Sequence, residues 1–195
     1  MNKKINLWNL KAGFYSLVRD FFIFRWILDK ERKNLKFLMN RVNISKPMIL
    51  DIGTGSGSTL AILKKGSTPI GLDISLNMLR RVKTKFSIPV LAGDVHFLPF
   101  SNNTFCLISA IGLTEYLPDI TTFLISVQRV ILKKGYFLVT ISQPNLPNLL
   151  RNILGNRIYP LQMPVWEKKA REAGFTLIDR TKTLMQVQYL FQYTR

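Results

Sequence analysis

Hydrophobic and polar positions follow two alternating patterns between residues 48 and 141. Short apolar runs closed by glycine or polar residues predict buried strands, and apolar residues spaced by three or four predict amphipathic helices. The predicted strands cover 48–52, 68–73, 90–94, 105–110 and 135–141, and the predicted helices cover 58–65, 76–85 and 120–132. Strands that alternate with helices predict an α/β fold with a doubly wound, mostly parallel sheet.

The two flanks carry different patterns. Residues 6–40 place apolar side chains at roughly helical spacing with Lys and Arg between them, which predicts an N-terminal helical cap. A helix over 166–173 ends at Gly174, and two apolar segments with a short polar link follow it, which predicts an antiparallel C-terminal hairpin. With no repeat or linker, residues 1–195 form a single predicted domain. Its parts are the cap 1–46, the core 47–142, a short substrate-side insertion 143–165, and the C-terminal helix and hairpin 166–195.

The charge of the chain is unusual, whereas its other bulk properties are typical of a globular domain. Lys and Arg number 28 against 11 Asp and Glu, a net charge of +17. Residues 1–46 carry +8 and residues 133–195 carry +7, so the middle of the chain is nearly neutral. Such flanks attract nucleic acid, an acidic lipid surface or an anionic small molecule. A lysine-rich composition that only aids solubility explains the charge equally well.

Cysteine content and the N-terminal sequence bear on location. The single cysteine, Cys106, excludes an intramolecular disulfide and fits a reducing compartment. The start of the chain lacks a smooth apolar stretch with a cleavage site, and the apolar run 21–24 stops at Arg25. We therefore expect a cytoplasmic protein, with peripheral membrane association as an alternative. No metal site is predicted.

A glycine-rich turn follows the first predicted strand. Gly53, Gly55 and Gly57 form a G-x-G-x-G pattern, which differs from the G-x-G-x-x-G of dinucleotide sites and lacks the Gly-Lys-Ser/Thr of a P-loop. Asp51 precedes the turn and would repel a pyrophosphate, but it suits a ligand with an ammonium and a sulfonium group. Taken alone, the turn could also be a plain connection between a strand and a helix.

Two more acids follow the next two predicted strands. Asp73, 22 residues after Asp51, suits a carboxylate that accepts both hydroxyls of a ribose. Asp94 follows the third strand, where it could accept a hydrogen bond from an adenine amino group. Because carboxyl ends of parallel strands share one edge of the sheet, the three acids predict a site for a cationic nucleoside.

Several segments in order carry a resemblance to a known family. They are 49–57, 71–75, 92–100, 114–119, 129–135 and 173–175. Over roughly residues 47–181 the chain resembles the class I S-adenosylmethionine (SAM)-dependent methyltransferases, within the type 11 group related to ubiquinone and menaquinone biosynthesis enzymes. The resemblance implies a Rossmann-like sheet, SAM as cofactor and S-adenosylhomocysteine (SAH) as product.

The resemblance also implies roles for individual residues. Asp51 and the glycine turn would hold the methionine part of SAM, Asp73 the ribose, and Asp94 with the Val95 amide the adenine, while Ile111 would pack beside the cofactor. The complete set implied for cofactor binding is Asp51, Gly53, Thr54, Gly55, Gly57, Asp73, Ile74, Asp94, Val95 and Ile111.

Methyl transfer requires alignment more than chemical assistance, because the sulfonium methyl is already activated. A base helps only where the nucleophile must lose a proton. Glu115 and Tyr116 follow the fourth strand, and Tyr15 lies in the cap, so these are the catalytic candidates, with packing roles as the alternative. Tyr159 is a weaker candidate. His96, the lone histidine, is interpreted as structural.

Substrate identity should depend on the cap and the insertion, which are both basic and apolar. They suit a small acceptor that is lipophilic, reached from a membrane surface, or anionic. RNA is less favoured, since the chain lacks an Asn/Asp-Pro-Pro-Tyr/Phe motif and an appended RNA-binding module. A regulatory or scaffold protein that binds SAM without turnover is the alternative from another class. The oligomeric state stays open.

Overall fold

Seven strands form one mixed sheet in the computed structural model, which describes residues 22–44, 48–63, 67–153 and 157–195. In chain order the strands are β1 (Ile49–Ile52), β2 (Ile70–Asp73), β3 (Val90–Ala92), β4 (Phe105–Ala110), β5 (Ile131–Ser142), β6 (Phe175–Lys182) and β7 (Gln186–Tyr193). Across the sheet their order is β3-β2-β1-β4-β5-β7-β6. The first five are paired in parallel, and β7 runs antiparallel to both β5 and β6. The predicted fold class is confirmed.

The strand order creates a crevice between β1 and β4. From β1 the chain moves outward to β2 and β3, and it then returns to the other side of β1 as β4. Loops after β1 and β4 therefore leave the sheet in opposite directions at its carboxyl edge. Open α/β sheets bind ligands at such a point.

Helices cover the sheet on both faces. In chain order they are α1 (Phe22–Met39), α2 (Leu60–Leu63), α3 (Leu76–Lys85), a 3₁₀ turn (Thr114–Tyr116), α4 (Ile120–Val130), α5 (Leu146–Ile153) and α6 (Met163–Glu172). Side chains cap the first turns of α3 and α4: Ser75 accepts from the Met78 N–H, and Asp119 accepts from the N–H groups of Thr121 and Thr122. Within the described residues, no helix has the length and apolar character needed to cross a bilayer.

Alternate residues of the central strands form a core on each face. On one face, Phe137 packs against Phe175 and Phe123, with ring centroids 5.2 and 6.2 Å apart. On the other face, neighbouring Leu138 is fully buried in a cluster with Leu38 of α1. The described part of the predicted cap is thus a single helix whose apolar side completes the second core.

Several elements differ from the sequence prediction, and three of the differences are informative. β5 begins at Ile131 rather than 135, with Lys134 at a φ of +64° and an irregularity in its pairing with β4. β3 ends before Asp94, because that side chain turns back to accept from the N–H of His96. The insertion contains α5, which was not predicted although Leu146, Leu149, Leu150 and Ile153 follow helical spacing; Asn145 caps it by accepting from an N–H in its first turn.

Candidate active site

A cavity of about 450 Å³ opens at the carboxyl edge of the sheet. Its walls come from the loops after β1, β2, β3 and β4, together with residues 157 and 159 of the insertion. The volume lies in the range of small-molecule sites. The predicted ligand-binding loops therefore converge on one concave space.

The glycine turn contributes four consecutive residues to the cavity wall, Gly53, Thr54, Gly55 and Ser56. Both glycines take positive φ values, +67° and +51°, a conformation that favours glycine. Gly57 has a structural function instead: a Cβ there would lie 2.7 Å from the ring of Phe86, and Gly57 does not line the cavity. Two of the three glycines thus shape the wall, and the third allows close helix packing.

Asp51 lies beneath the turn, and it does not line the cavity. Its carboxylate accepts from the hydroxyl of Thr54 at 2.7 Å and from that of Ser109 at 2.5 Å. Burial raises its pKa to about 6, although both hydrogen bonds oppose that shift. The observed geometry makes Asp51 a support for the turn, and direct contact with a ligand stays a prediction.

Asp73 joins two loops of the cavity. One carboxylate oxygen accepts from the Gly55 N–H at 2.8 Å, and the other accepts from the Ser75 N–H at 2.9 Å. Burial raises the pKa of this carboxyl, while the backbone hydrogen bonds lower it. Each oxygen retains a lone pair for a ligand hydroxyl, so the residue can hold the turn and bind at once. Ile74 follows it in the wall.

Asp94 is paired with His96. One carboxylate oxygen lies 2.9 Å from the backbone N of His96 and 2.8 Å from its Nδ1. The Asp94 side chain is 49% exposed, and the Nε2 of His96 faces the carbonyl oxygen of Asp119 at 3.3 Å. Both side chains line the cavity beside buried Val95. The sequence interpretation of His96 as structural therefore did not place this residue in the cavity wall. A signal was present in the sequence, because His96 follows Asp94, the acid that forms the turn, by two residues.

Apolar and aromatic groups from the segment after β4 also line the cavity. They are Ile111, Gly112 and Leu113, with Tyr116 of the 3₁₀ turn and Leu117 directly after it. The Gly112 N–H donates to the Thr140 hydroxyl at 2.7 Å, which holds this loop on β5. The lining thus combines carboxylates from the ends of β2 and β3 with aliphatic and phenolic groups from the segment after β4.

The catalytic candidates separate in the structure. Tyr116 lines the cavity, whereas Glu115 is buried and its carboxylate accepts from the hydroxyl of Ser142. Tyr159 also lines the cavity, so the weaker candidate joins Tyr116 in the wall. Tyr15 lies outside the described residues, and its role stays a prediction.

The insertion contributes a residue that sequence reasoning missed. Arg157 lines the cavity, and its guanidinium carbon lies 5.7 Å from the ring centroid of Tyr159. No periodicity marks residues 157–162, because the segment is extended and irregular. The signal in the sequence was a cation two residues before an aromatic ring within the predicted substrate-side insertion.

Comparison with known proteins identifies the family. The type 11 family model described as a methyltransferase domain matches residues 50–139, which include β1 to β5 up to Val139 and the glycine turn. Residues 50–139 therefore form a class I SAM-dependent methyltransferase domain. The fold of the chain matches a magnesium protoporphyrin IX methyltransferase from Synechocystis with bound SAH, at a TM-score of 0.76, 14% identity, and coverage of 97% of this chain and 98% of that one. SAM is accordingly the cofactor of this methyltransferase domain.

Two named relatives come from other organisms. A demethylmenaquinone methyltransferase of Thermotoga maritima is 30% identical over 142 residues, which are 70% of this chain and 59% of that protein. A fatty-acid O-methyltransferase of Mycolicibacterium smegmatis is 25% identical over 146 residues, or 72% of this chain and 48% of that protein. The chain spans about half the length of the curated relatives it matches.

The cavity of this methyltransferase domain has the features that SAM requires. Cβ atoms added to Gly55 and Gly112 would have no neighbour closer than 3.9 Å, so a ligand can approach the backbone closely at both residues. Asp73 and Asp94 supply acceptors for hydroxyl and amino groups on the same side of the cavity. Carboxylates there also favour a ligand that carries positive charge.

Proposed function

We propose that the protein transfers a methyl group from SAM to a small acceptor that is lipophilic, anionic or both. The observation that carries this proposal is the mixed lining of one cavity. Carboxylates and backbone amides at the ends of β1, β2 and β3 occur there together with apolar and aromatic side chains after β4 and one arginine. Two substrates of different chemistry can therefore meet in a single space.

On the cofactor side, each group would bind a different part of SAM. Gly53 and Gly55 would let the methionine portion approach the backbone, and Asp73 would accept the ribose hydroxyls. Asp94 and the amide of Val95 would hold the adenine. The family resemblance supports these assignments, and so does the position of all five residues in the cavity wall.

Around the acceptor, the chain would align the nucleophile with the methyl group and exclude water from the cavity. SAM supplies a methyl group on a sulfonium, which is already activated for displacement. Leu113 and Leu117 exclude water from the wall, and Tyr116 places a phenol beside the space left for the acceptor. Alignment of a nucleophile near attack geometry lowers barriers by about 7–11 kcal/mol in the best intramolecular reactions. These residues can therefore promote methyl transfer without a strong base.

The cofactor site is tested by a matched pair of glycine variants. Gly112→Ala would place a methyl group in the open space of the cavity, and we expect SAM affinity to fall about tenfold or more by calorimetry, a loss of roughly 1.4 kcal/mol. Gly174→Ala is the control, because Gly174 has a comparable φ of +85° but follows α6 outside the cavity. The positive φ alone should cost each variant about 1–2 kcal/mol of stability, and a Cβ at Gly174 would also lie 2.8 Å from the Arg195 side chain, which must move aside.

Equal SAM affinity in the two variants, or a wild-type protein that binds neither SAM nor SAH, would contradict the proposed cofactor site. Turnover is tested with radiolabelled methyl-SAM and fractionated cell extract. Label in a lipid or small-molecule fraction supports the proposal, whereas SAM binding with no label in any fraction would support a non-catalytic protein.

A further inference from the structure

Arg157 stands at the mouth of the cavity on an anchored segment. The Tyr159 N–H donates to the Glu115 carbonyl oxygen at 2.6 Å, and the Leu161 N–H donates to the Ser142 carbonyl oxygen at 2.9 Å. Between these residues and Arg157, Ile158 is buried with only 4% exposure. The backbone next to Arg157 is therefore tied to the 3₁₀ turn and to the end of β5, which restricts where its guanidinium can reach.

The charge of Arg157 is not neutralised within the described part of the chain. Arg41 and Arg180 form ion pairs with Asp179 and Glu167, but no described carboxylate lies within ion-pair distance of Arg157. Its described contact is the ring of Tyr159, which positions the guanidinium without matching its charge. Among the described lining residues it is also the only Lys or Arg. A fork of N–H donors is thus presented on the acceptor side.

We propose that Arg157 binds a carboxylate of the acceptor, and that this carboxylate is methylated to give a methyl ester. The proposal rests on the proposed function and specifies its substrate class. A guanidinium matches the planar geometry of a carboxylate. One cation suits a monoanion, since Asp73 and Asp94 in the same cavity disfavour further negative charge. The apolar wall after β4 suits the hydrocarbon part of such an acid.

The titratable groups of the acceptor wall agree with a carboxylate nucleophile. Tyr116 and Tyr159 are phenols with high ordinary pKa values, and the Glu115 carboxylate is directed to Ser142 rather than into the cavity. A carboxylate needs no base because it is ionised at neutral pH. Its oxygen forms the new C–O bond as the bond between sulfur and methyl breaks, and the electron pair stays on sulfur. The products are a thioether and a neutral ester, and no proton moves.

Arg157 would also help the product to leave, because the methyl ester is neutral. Arg157 pairs with the anionic acceptor but has no ion pair to offer its ester. Binding therefore weakens once the methyl group has been transferred, so the same residue favours capture of the acid and release of the ester.

The test compares wild type with Arg157→Gln and Arg157→Lys. Arg171→Gln is the matched control, because Arg171 is exposed on α6 and does not line the cavity. The probes are fatty acids from octanoate to palmitate, the matching 1-alkanols, and the acidic, neutral and basic fractions of a cell extract, each with radiolabelled methyl-SAM. Mild alkali then distinguishes methyl esters, which release labelled methanol, from stable ethers and methylated amines.

We expect alkali-labile label in the fatty acids or in the acidic fraction, and not in the alkanols. Arg157→Gln should lower kcat/KM at least tenfold, mainly through KM, Arg157→Lys should retain part of it, and Arg171→Gln should match wild type. Alkali-stable label, label confined to neutral or basic acceptors, no label although SAM binds, or an Arg157→Gln variant equal to wild type would each overturn the carboxylate proposal. Failure of wild type to bind SAM would instead overturn the proposed function itself.

Discussion

At the scale of single residues, the acids after β1, β2 and β3 lie in three different environments. Asp51 is fully enclosed beneath the glycine turn, Asp73 is buried at the cavity wall, and Asp94 is half exposed beside His96. Their hydrogen-bond partners differ in the same order: two hydroxyls, two backbone amides, and a histidine with its own amide. Similar side chains at similar strand ends can therefore serve support, linkage and recognition.

Burial of Asp51 makes a measurable contribution to the pH dependence of stability. Its folded-state pKa of about 6 exceeds the ordinary value of 3.8, so the native state holds this proton more tightly than the unfolded state. The stabilisation that comes from this tighter proton binding is fully present below roughly pH 4 and is lost as the pH rises through about 6. Asp51→Asn should remove that dependence, which amounts to about 2–3 kcal/mol, in urea unfolding measured at each pH.

A control variant and a difference measurement isolate the effect of Asp51 on stability. Asp29→Asn, on the exposed side of α1, removes the same charge without removing a buried carboxyl. The quantity to follow is the difference in unfolding free energy between each variant and wild type, because other acids such as Asp73 also titrate. A difference for Asp51→Asn that stays constant from roughly pH 4 to pH 7 would refute the assignment.

At the scale of elements, α1 is joined to the C-terminal hairpin by polar and apolar contacts. The Thr183 hydroxyl donates to the Glu31 carboxylate at 3.2 Å, and the Gln188 side chain donates to the Glu31 carbonyl oxygen at 3.1 Å. An ion pair of 2.6 Å links Arg41 with Asp179 of β6. The helix and the hairpin are far apart in sequence, and these contacts hold α1 on the face of the sheet beside β6 and β7.

Adjacent residues of α1 should differ sharply in their effect on stability. Leu38→Ala removes a fully buried side chain and should cost about 2–5 kcal/mol of unfolding free energy. Phe37→Ala, one position earlier and 48% exposed, should cost less than about 1 kcal/mol. Urea unfolding of the two variants checks the difference. Similar losses in both would mean that α1 is not docked through its Leu38 side.

At the scale of the whole molecule, like charges repel across much of the surface. The net charge is +17, and the ion pairs within the described residues are Arg41–Asp179, Lys168–Glu172 and Arg180–Glu167. Most basic side chains thus lack a close acid in the described structure. Repulsion of this kind disfavours the compact state and is weakened by salt. Association of the basic flanks with a membrane or nucleic acid stays a prediction.

We expect the unfolding free energy to rise as NaCl increases from about 0.01 M to about 0.1 M, because the Debye length shortens from about 30 Å to about 10 Å. Urea, which is uncharged, is the suitable denaturant. KCl should give the same increase if screening is the cause, and sucrose at equal osmolarity should not reproduce its steep onset. A decrease with salt would show that attractive ion pairs outweigh the repulsion.

Local patterns predicted most elements because their causes are local. The bounds of α3 and β4 agree with the predicted 76–85 and 105–110, since capping by Ser75 and a continuous apolar run both act within a few residues. The start of β5 was misplaced because its irregular pairing with β4 depends on a neighbouring strand. The helix α5 was missed although its apolar residues follow helical spacing, because Pro144 and Pro147 in the same segment also fit a loop.

The sequence by itself determined the fold class, the glycine turn and the acids that follow it, because strand period, glycine spacing and residue type are properties of neighbouring positions. Only the tertiary structure decided which of those groups reach the cavity. It enclosed Asp51 and Glu115, and it brought His96 and Arg157 into the wall. Side-chain direction and contacts between distant segments depend on packing, and packing is established only when the whole sheet has formed.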